Sequence, residues 1–268
     1  MIKLAVCGAA GRMGQHILAH AVKDKESFQV VGAVEYKGHP LTGTKLRDIN
    51  PEISLDVQIT DSLKQVINAA DVVIDFTTPE SSLSNAQTCH AAGKVIVIGT
   101  TGFTPDQLDE IIKYTGKIAI VLAPNMSVGV NLLFKLADIV ASVLDDDYDC
   151  EIVELHHRFK KDSPSGTAAR LAEIIAKARA VSLEDKGVYG RKGIVGERGK
   201  GDIGVHAVRL GNVVGEHTVS FANLGERIEL THKAQSRETF ALGSLRAARF
   251  AVKASPGMYD MQDVLHLR

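Results

Sequence analysis

The sequence predicts an α/β chain in two parts: a doubly wound parallel sheet, then a smaller α+β unit with a mixed, largely antiparallel sheet. Three observations carry this. Short runs such as IKLAVCG, FQVVGAVE, DVVIDFTT, KVIVIGTTG and KIAIVLAPN are almost uniformly apolar and rich in β-branched residues. Strands buried on both faces, as in a parallel sheet, have that composition. Segments of helical length and period separate the runs, and such alternation with right-handed crossovers makes a doubly wound sheet. After Asn125 the rhythm changes, and strands joined by Gly/Asn turns replace the alternation.

The elements follow in order. GRMGQHILAHAVKD, DSLKQVINAA, PESSLSNAQTCHAAG and TPDQLDEIIKYTG read as helices between the strands. Asp61 is expected as a cap, Thr104-Pro105 as a cap and first turn, and Gly93 and Gly116 as stops. A long helix is expected over Val128 to Leu144, then the strand CEIVELHH, then a helix opening near Ser165. The glycines from Gly187 to Gly201 are spaced like a mobile surface loop. IGVHAVRLG, NVVGEHTVSFANLG and ERIELTHKA read as an antiparallel meander. The tail RETFALGSLRAARFAVKA is helical and is expected to pack back on the first part. The boundaries drawn are 1–127 completed by 238–268, and 128–237.

Composition bounds what such a chain does. Of 268 residues, 31 are Lys or Arg and 32 are Asp or Glu, a net charge of −1, so no strong field draws the chain to nucleic acid or an anionic membrane. No apolar run approaches the ~18 residues of a membrane span. The opening MIKLAVCGAAGRMGQ does not read as a secretory leader, because its short apolar stretch runs straight into a glycine motif. Cys7, Cys89 and Cys150 show no CxxC or Cys/His metal spacing and read as buried thiols of a cytoplasmic protein. No metal site is expected.

GAAGRMG places Gly8, Gly11 and Gly14 after the first strand and at the opening of a helix. The motif alone is weak; its context is strong. Glycine admits a pyrophosphate against the backbone, and the helix N-terminus offers free N–H groups and the positive dipole end. Glu35 follows the second strand at the distance, roughly 20 residues, where an acid receives the ribose hydroxyls of a dinucleotide. The first domain therefore reads as Rossmann-like. Gly99-Thr100-Thr101 and Ala123-Pro124-Asn125-Met126 follow further strands, at the carboxyl edge where ligands of such sheets bind. Glu35 favours a free 2′-hydroxyl and Lys37 tolerates a phosphate, so the expected coenzyme is NADH and/or NADPH, with a lean to NADH.

ELHHRFKKDSPSGTA concentrates the remaining chemistry. His156 and His157 end a strand, Lys160 sits in the loop, and Ser165-Gly166-Thr167 open a helix. Small hydroxylated residues at a helix N-terminus bind carboxylate or phosphate. A histidine beside such a receptor can donate a proton near neutral pH, and a lysine can hold an anion or stabilise developing charge. The plainer reading, a Ser165 helix cap with solvated cations around it, stands beside this one. The remaining histidines, His206 and His217 among them, read as structural or surface residues.

Taken together, GAAGRMG, DVVIDFTTPE, VIGTTGF, APNMSVGVN, ELHHRFKKDSPSGTA, VGEHTVSF, GERIELTHKAQSR and PGMYDMQDVL resemble the 4-hydroxy-tetrahydrodipicolinate reductase (dihydrodipicolinate reductase) family along the whole chain. The resemblance implies hydride transfer from a nicotinamide to C4 of a cyclic imine dicarboxylate, protonation of the neighbouring carbon and loss of water. This step belongs to the diaminopimelate route to lysine. It implies His156 as proton donor/acceptor and Lys160 as the second catalytic residue. It also implies His157, Gly166 and Thr167 as substrate contacts. Gly8, Ala9, Ala10, Gly11, Arg12, Met13, Glu35, Gly99, Thr100, Thr101 and Ala123 to Met126 become coenzyme contacts, with Arg237 and Phe240 near the nicotinamide. A homotetramer and closure of one domain over the other are further implications. The chain departs from the family in carrying Tyr36 where many members have arginine, which counts against strong NADPH use, and Ser163 where alanine is commoner.

Two other readings have their own signals. A sugar dehydrogenase of the Gfo/Idh type carries E-K-P where this chain has A-P-N. A regulator that senses NAD(H) needs a DNA-binding or partner module, and has no use for His156 and Lys160 together.

Overall fold

Alternation along IKLAVC sends Leu4 and Val6 to one face of a sheet and Ala5 and Cys7 to the other, all four buried. Burial on both faces explains the uninterrupted apolar run, and each large aliphatic side chain so buried contributes about 1.5–3 kcal/mol. This strand is β1 (Ile2–Cys7) in the computed structural model, which describes residues Met1–Arg268. The chain forms two units, Met1–Val128 with Arg237–Arg268, and Gly129–Ser236.

The first unit continues through α1 (Arg12–Lys23), β2 (Phe28–Val34), the single turn α2 (Leu46–Ile49), β3 (Ile59–Thr60), β4 (Val72–Asp75) and α3 (Pro79–Ala92). Then come β5 (Val95–Ile98), α4 (Pro105–Tyr114) and β6 (Ala119–Leu122). The C-terminal segment adds α8 (Glu238–Ala251), β12 (Gly257–Tyr259) and the turn α9 (Met261–Val264). Its seven strands are ordered β12-β6-β5-β4-β1-β2-β3, all parallel. One face carries α1 and α8, through Ile17, Leu18, Leu245 and Ala248; the other carries α3 and α4, through Ala86, Cys89 and Ile111. Thr104 and Gln107 form a capping box at α4, and Gly93 ends α3 in the left-handed region at φ 65°.

The second unit holds α5 (Val128–Val143) beyond its first residue, β7 (Asp149–His156), α6 (Gly166–Ala178), α7 (Leu183–Lys186), β8 (Gly187–Tyr189), β9 (Ile203–Arg209), β10 (Gly215–Ala222) and β11 (Arg227–Ala234). Its sheet is ordered β11-β10-β7-β9-β8. The inner residues Cys150, Ile152, Val219 and Phe221 pack with Leu171, Ala172 and Ile175 of α6.

Several expectations need correction. DSLKQVINAA forms two short 3-10 turns, Leu63–Gln65 and Ile67–Ala69, instead of one helix. Val66 between them lies so close under β2 that a Cβ on Gly32 would sit 2.7 Å from its methyl, and this contact overrides the helical period. Asp61 caps nothing; it accepts from the Gln65 side chain. The expected meander is split: β10 and β11 form an antiparallel hairpin, but β9 pairs in parallel with β7, which lies between β9 and β10. Two ladders are thus antiparallel and two parallel. The excursion through α6 and α7 is long enough for the crossover a parallel pair needs. The glycine-rich stretch is tied down: Arg198 ion-pairs with Asp149 and Glu151 and donates to the Cys150 and Asp202 carbonyls, while Arg191 forks onto Glu151. These arginines and His206 hold the Glu151 carboxyl down at about 2 although its burial opposes the charge. The strand β12 is too short to leave a pattern in the sequence.

Candidate functional site

In the first unit the strand order turns back around β1, with β2 on one side and β4 on the other, and a cavity of about 700 Å³ opens beyond their carboxyl ends. Gly8, Gly11, Glu35, Lys37, Lys64, Thr77, Ser81 and Asn85 are among the residues that line it. Gly8 turns at φ 76°, and a Cβ on Gly14 would sit 2.1 Å from the Gly8 carbonyl oxygen, so the turn and the helix meet backbone to backbone. Gly11, the N-cap of α1, offers no side chain to the helix N–H groups. That is the arrangement a pyrophosphate fits.

Glu35 is held, not merely nearby: its Oε1 accepts the Ala10 N–H at 2.8 Å. The Ala10 amide is thereby used by the protein. Arg12 is exposed, whereas Ala9 is buried and Met13 packs on the core. Gly99 to Thr101 and Ala123 to Met126 follow β5 and β6 at the same edge of the sheet. Met126 is buried among core residues, and the Thr100 hydroxyl turns inward. Arg237 is the N-cap of α8, and Phe240 is half-buried in its first turn.

The inward turn of Thr100 meets a residue that motif reading passes over. Asp75 is buried at the end of β4. It accepts from the Thr77 N–H (3.0 Å) and hydroxyl (2.7 Å), from the Ser82 hydroxyl (3.0 Å) and from the Asn85 amide (2.7 Å). Burial pushes its carboxyl upward, against these donors. Asp75 thus ties the loop after β4 to the loop after β5. The run DFTTPE contains it, but a lone acid ending an apolar strand carries no sign of its partners.

The second unit assembles the ELHHRFKKDSPSGTA residues around a buried carboxylate. β7 ends at His156, and Ser165 caps α6 with its side chain on the Ala168 N–H. Glu154, fully buried, accepts from His156 Nδ1 (2.5 Å), from the Ser165 N–H (3.0 Å) and from both arms of the Arg209 guanidinium (2.9 and 3.1 Å). Lys160 is ion-paired to Asp162 at 2.8 Å. The Ser163–Pro164 peptide in the turn is cis. Gly166 is exposed at the helix start with open space about its Cα, and Thr167 follows half-buried. His157 is half-buried, its ring near the exposed Phe159 and its Nδ1 enclosed without a partner. Lys161 and Arg158 are exposed.

Burial lowers the affinity of His156 for a proton, Glu154 raises it, and Lys160 and Arg209 lower it again; the balance lies below the ordinary histidine range. Glu154 is itself buried, yet Arg209 and His156 hold it ionised, below the usual carboxylate range. His217, expected to be structural or at the surface, is buried beside His156. Its ring stands edge-on to His156 at 5.2 Å and its Nε2 lies 3.0 Å from the Ser165 hydroxyl. Burial, with His156 beside it, pushes His217 down to about 3, so it is neutral. A sequence signal did exist for Glu154, since i and i+2 of a strand share a face. Arg209 and His217 reach it only because the β7–β9 and β7–β10 ladders bring them there.

A family model described as dihydrodipicolinate reductase, N-terminus, matches residues 2–126, and one described as dihydrodipicolinate reductase, C-terminus, matches residues 129–265. The chain belongs to the dihydrodipicolinate reductase family. Among relatives of this reductase family, the 4-hydroxy-tetrahydrodipicolinate reductases of Citrifermentans bemidjiense and Trichlorobacter lovleyi are 51% and 52% identical over 268 residues, covering all of both chains. A dipicolinate-bound dihydrodipicolinate reductase from Paenisporosarcina sp. TG-14 superposes with a TM-score of 0.78 at 28% identity, covering 98% of each chain. No helix of this family member is long and apolar enough to cross a membrane.

Proposed function

We propose that this protein is a 4-hydroxy-tetrahydrodipicolinate reductase, reducing the cyclic imine dicarboxylate of the diaminopimelate route to lysine with NAD(P)H. The observation that carries the reading is the convergence of His156, Lys160 and the α6 N-terminus in one small site, in a chain whose relatives of that name match it end to end. A dicarboxylate needs N–H groups and cations. The Gly166 and Thr167 amides at the helix start supply the first, and Lys160, by exchanging Asp162 for a substrate carboxylate, supplies the second. His156 and Lys160 are the catalytic pair, and His157, Ser165, Gly166 and Thr167 hold substrate.

The cavity of the first unit fits a dinucleotide: its glycine turn is pressed backbone to backbone, α1 lacks a side-chain cap, and Glu35 is anchored for ribose. When bound, the reduced nicotinamide supplies the hydride. The protein's own share is to orient the acceptor, exclude water and deliver a proton. NAD(P)H, hydroxylated substrate and one proton give NAD(P)⁺, tetrahydrodipicolinate and water. Gly8 to Met13, Glu35, Lys37, Gly99 to Thr101, Ala123 to Met126, Arg237 and Phe240 are assigned to the coenzyme, by backbone where the side chain is buried. Glu35 with no arginine after it supports NADH over NADPH. Residues 1–127 with 238–268 form the coenzyme domain, and 128–237 the substrate and oligomer domain. A cytoplasmic homotetramer fits the free buried cysteines and the exposed Val208, Leu210 and Ile228 of the second sheet region.

The test is oxidation of NADH in the presence of aspartate semialdehyde, pyruvate and the synthase that joins them. Turnover at enzyme-like rates supports the reading; no turnover by folded protein overturns it.

A further inference from the structure

Every hydrogen-bonding lobe of the Glu154 carboxylate that the fold reaches is filled by a donor. Oε2 receives His156 Nδ1 and one arm of Arg209; Oε1 receives the Ser165 N–H and the other arm. An ionised carboxylate only accepts, so the His156 nitrogen facing it must carry hydrogen. In neutral imidazole the other nitrogen, Nε2, then has a free lone pair. Nε2 looks onto the backbone of Gly215 on β10, where a Cβ would stand 3.0 Å away. One side of the ring is thus pinned, and the other meets a glycine of β10 that carries no side chain.

We propose that Glu154, clamped by Arg209, is the positioning residue of the reductase site. It fixes His156 in the Nδ1–H tautomer, makes Nε2 the atom that exchanges a proton with substrate, and ties the ring to the same Ser165 amide that opens the anion-binding helix. The proposal rests on the reductase reading for its kinetic consequences and on geometry alone for the tautomer. Substrate takes no proton from Glu154, which stays ionised; the proton added to substrate carbon leaves Nε2, and solvent restores it.

The groups facing His156 from all sides fix the expected signs. Glu154 lies on its own strand, Arg209 on β9, the neutral His217 on β10, and the Lys160–Asp162 pair in the loop beyond. Glu154 favours the imidazolium, while Arg209 and Lys160 oppose it. Removing Glu154 therefore moves the His156 titration to lower pH, and removing Arg209 moves it to higher pH. A general acid acts only while protonated, so the alkaline fall of kcat/KM follows the same directions.

The experiment uses the full-length protein with ¹⁵N-labelled histidine. In the wild type at neutral pH, NMR of the His156 ring should show hydrogen on Nδ1. Glu154→Gln should mix the tautomers, lower kcat by about 10-fold or more as part of the ~10²- to 10⁴-fold that a general acid contributes, shift the alkaline limb to lower pH and leave KM for NADH unchanged. Glu154→Asp, which keeps the charge, should restore the position of the limb. Arg209→Met should shift the limb the opposite way, and it keeps the test open should the Glu154 variants fail to fold. A wild-type ring with hydrogen on Nε2, or variants of Glu154 and Arg209 that shift the limb in the same direction or not at all, overturns the proposal. A wild type that shows the Nδ1–H tautomer but no turnover overturns the reductase reading and leaves the positioning geometry supported.

Discussion

Ser165 and His217 share a hydrogen bond of 3.0 Å between Oγ and Nε2, although 52 positions separate them in the chain. The same hydroxyl accepts the Ala168 N–H at 3.2 Å, so one oxygen caps α6 and anchors a buried imidazole on β10. Ser165→Ala should remove both. Loss of the cap costs about 1 kcal/mol, and a buried imidazole nitrogen left without a partner costs about 1–3 kcal/mol more. The melting temperature should fall by several degrees. In a double-mutant cycle with His217→Ala the losses should be less than additive, because the two residues share one bond. Strict additivity would mean that the bond contributes nothing.

His217 also sets an acid sensitivity. Its folded pKa of about 3 lies below the ordinary value of 6.5. The unfolded chain therefore binds a proton that the folded chain refuses. This contribution to stability is fully present above the unfolded pKa and is lost as pH falls from about 6.5 toward about 3, at up to ~1.4 kcal/mol per pH unit. His156 and His232, lowered by burial as well, add to the same slope, and the buried Asp75, whose carboxyl is raised, opposes it, so the share of His217 is read from its own variant. His217→Asn should flatten the stability curve there in denaturant titrations at stepped pH; an unchanged slope would contradict the burial argument.

Glu35 and Lys37 divide the coenzyme question. Glu35→Ala should lower kcat/KM for NADH by about 10-fold or more, the range of a hydrogen bond to a charged group. It should affect NADPH less, because the lost carboxylate also repelled the 2′-phosphate. Lys37→Ala should lower kcat/KM for NADPH alone. A hundred-fold wild-type preference for NADPH would overturn the lean to NADH.

Arg198 predicts order in the glycine-rich stretch. Its guanidinium makes five contacts on five residues around it, a fork that lysine does not reproduce. Arg198→Lys should speed amide hydrogen exchange across residues 190–202 with little change in α6. Unchanged exchange would show that the backbone turns hold the loop unaided.

Replacing either catalytic candidate should separate chemistry from binding. His156→Ala and Lys160→Ala are each expected to lower kcat by ~10²-fold or more. A change confined to KM would assign both residues to binding.

Much of the architecture was legible in one dimension, because the physics behind it is local. Continuous apolar runs mark strands buried on both faces, the caps at Thr104 and Ser165 mark helix starts, and the glycines of GAAGRMG mark a backbone that must come close to something. The His156–Thr167 cluster was visible because a strand end, a loop and a helix start are consecutive. What the sequence left open depends on pairing. Nothing in IGVHAVRLG says that β9 runs parallel to β7, yet that register alone carries Arg209 to Glu154. Nothing in DSLKQVINAA says that Val66 lies under Gly32, and that contact tightened a helix into two turns. The residue types that do chemistry were written along the chain. Their charge states, tautomers and partners were decided by which strands the fold placed side by side, since burial and hydrogen bonding, not residue type, set whether a buried acid or imidazole carries its proton.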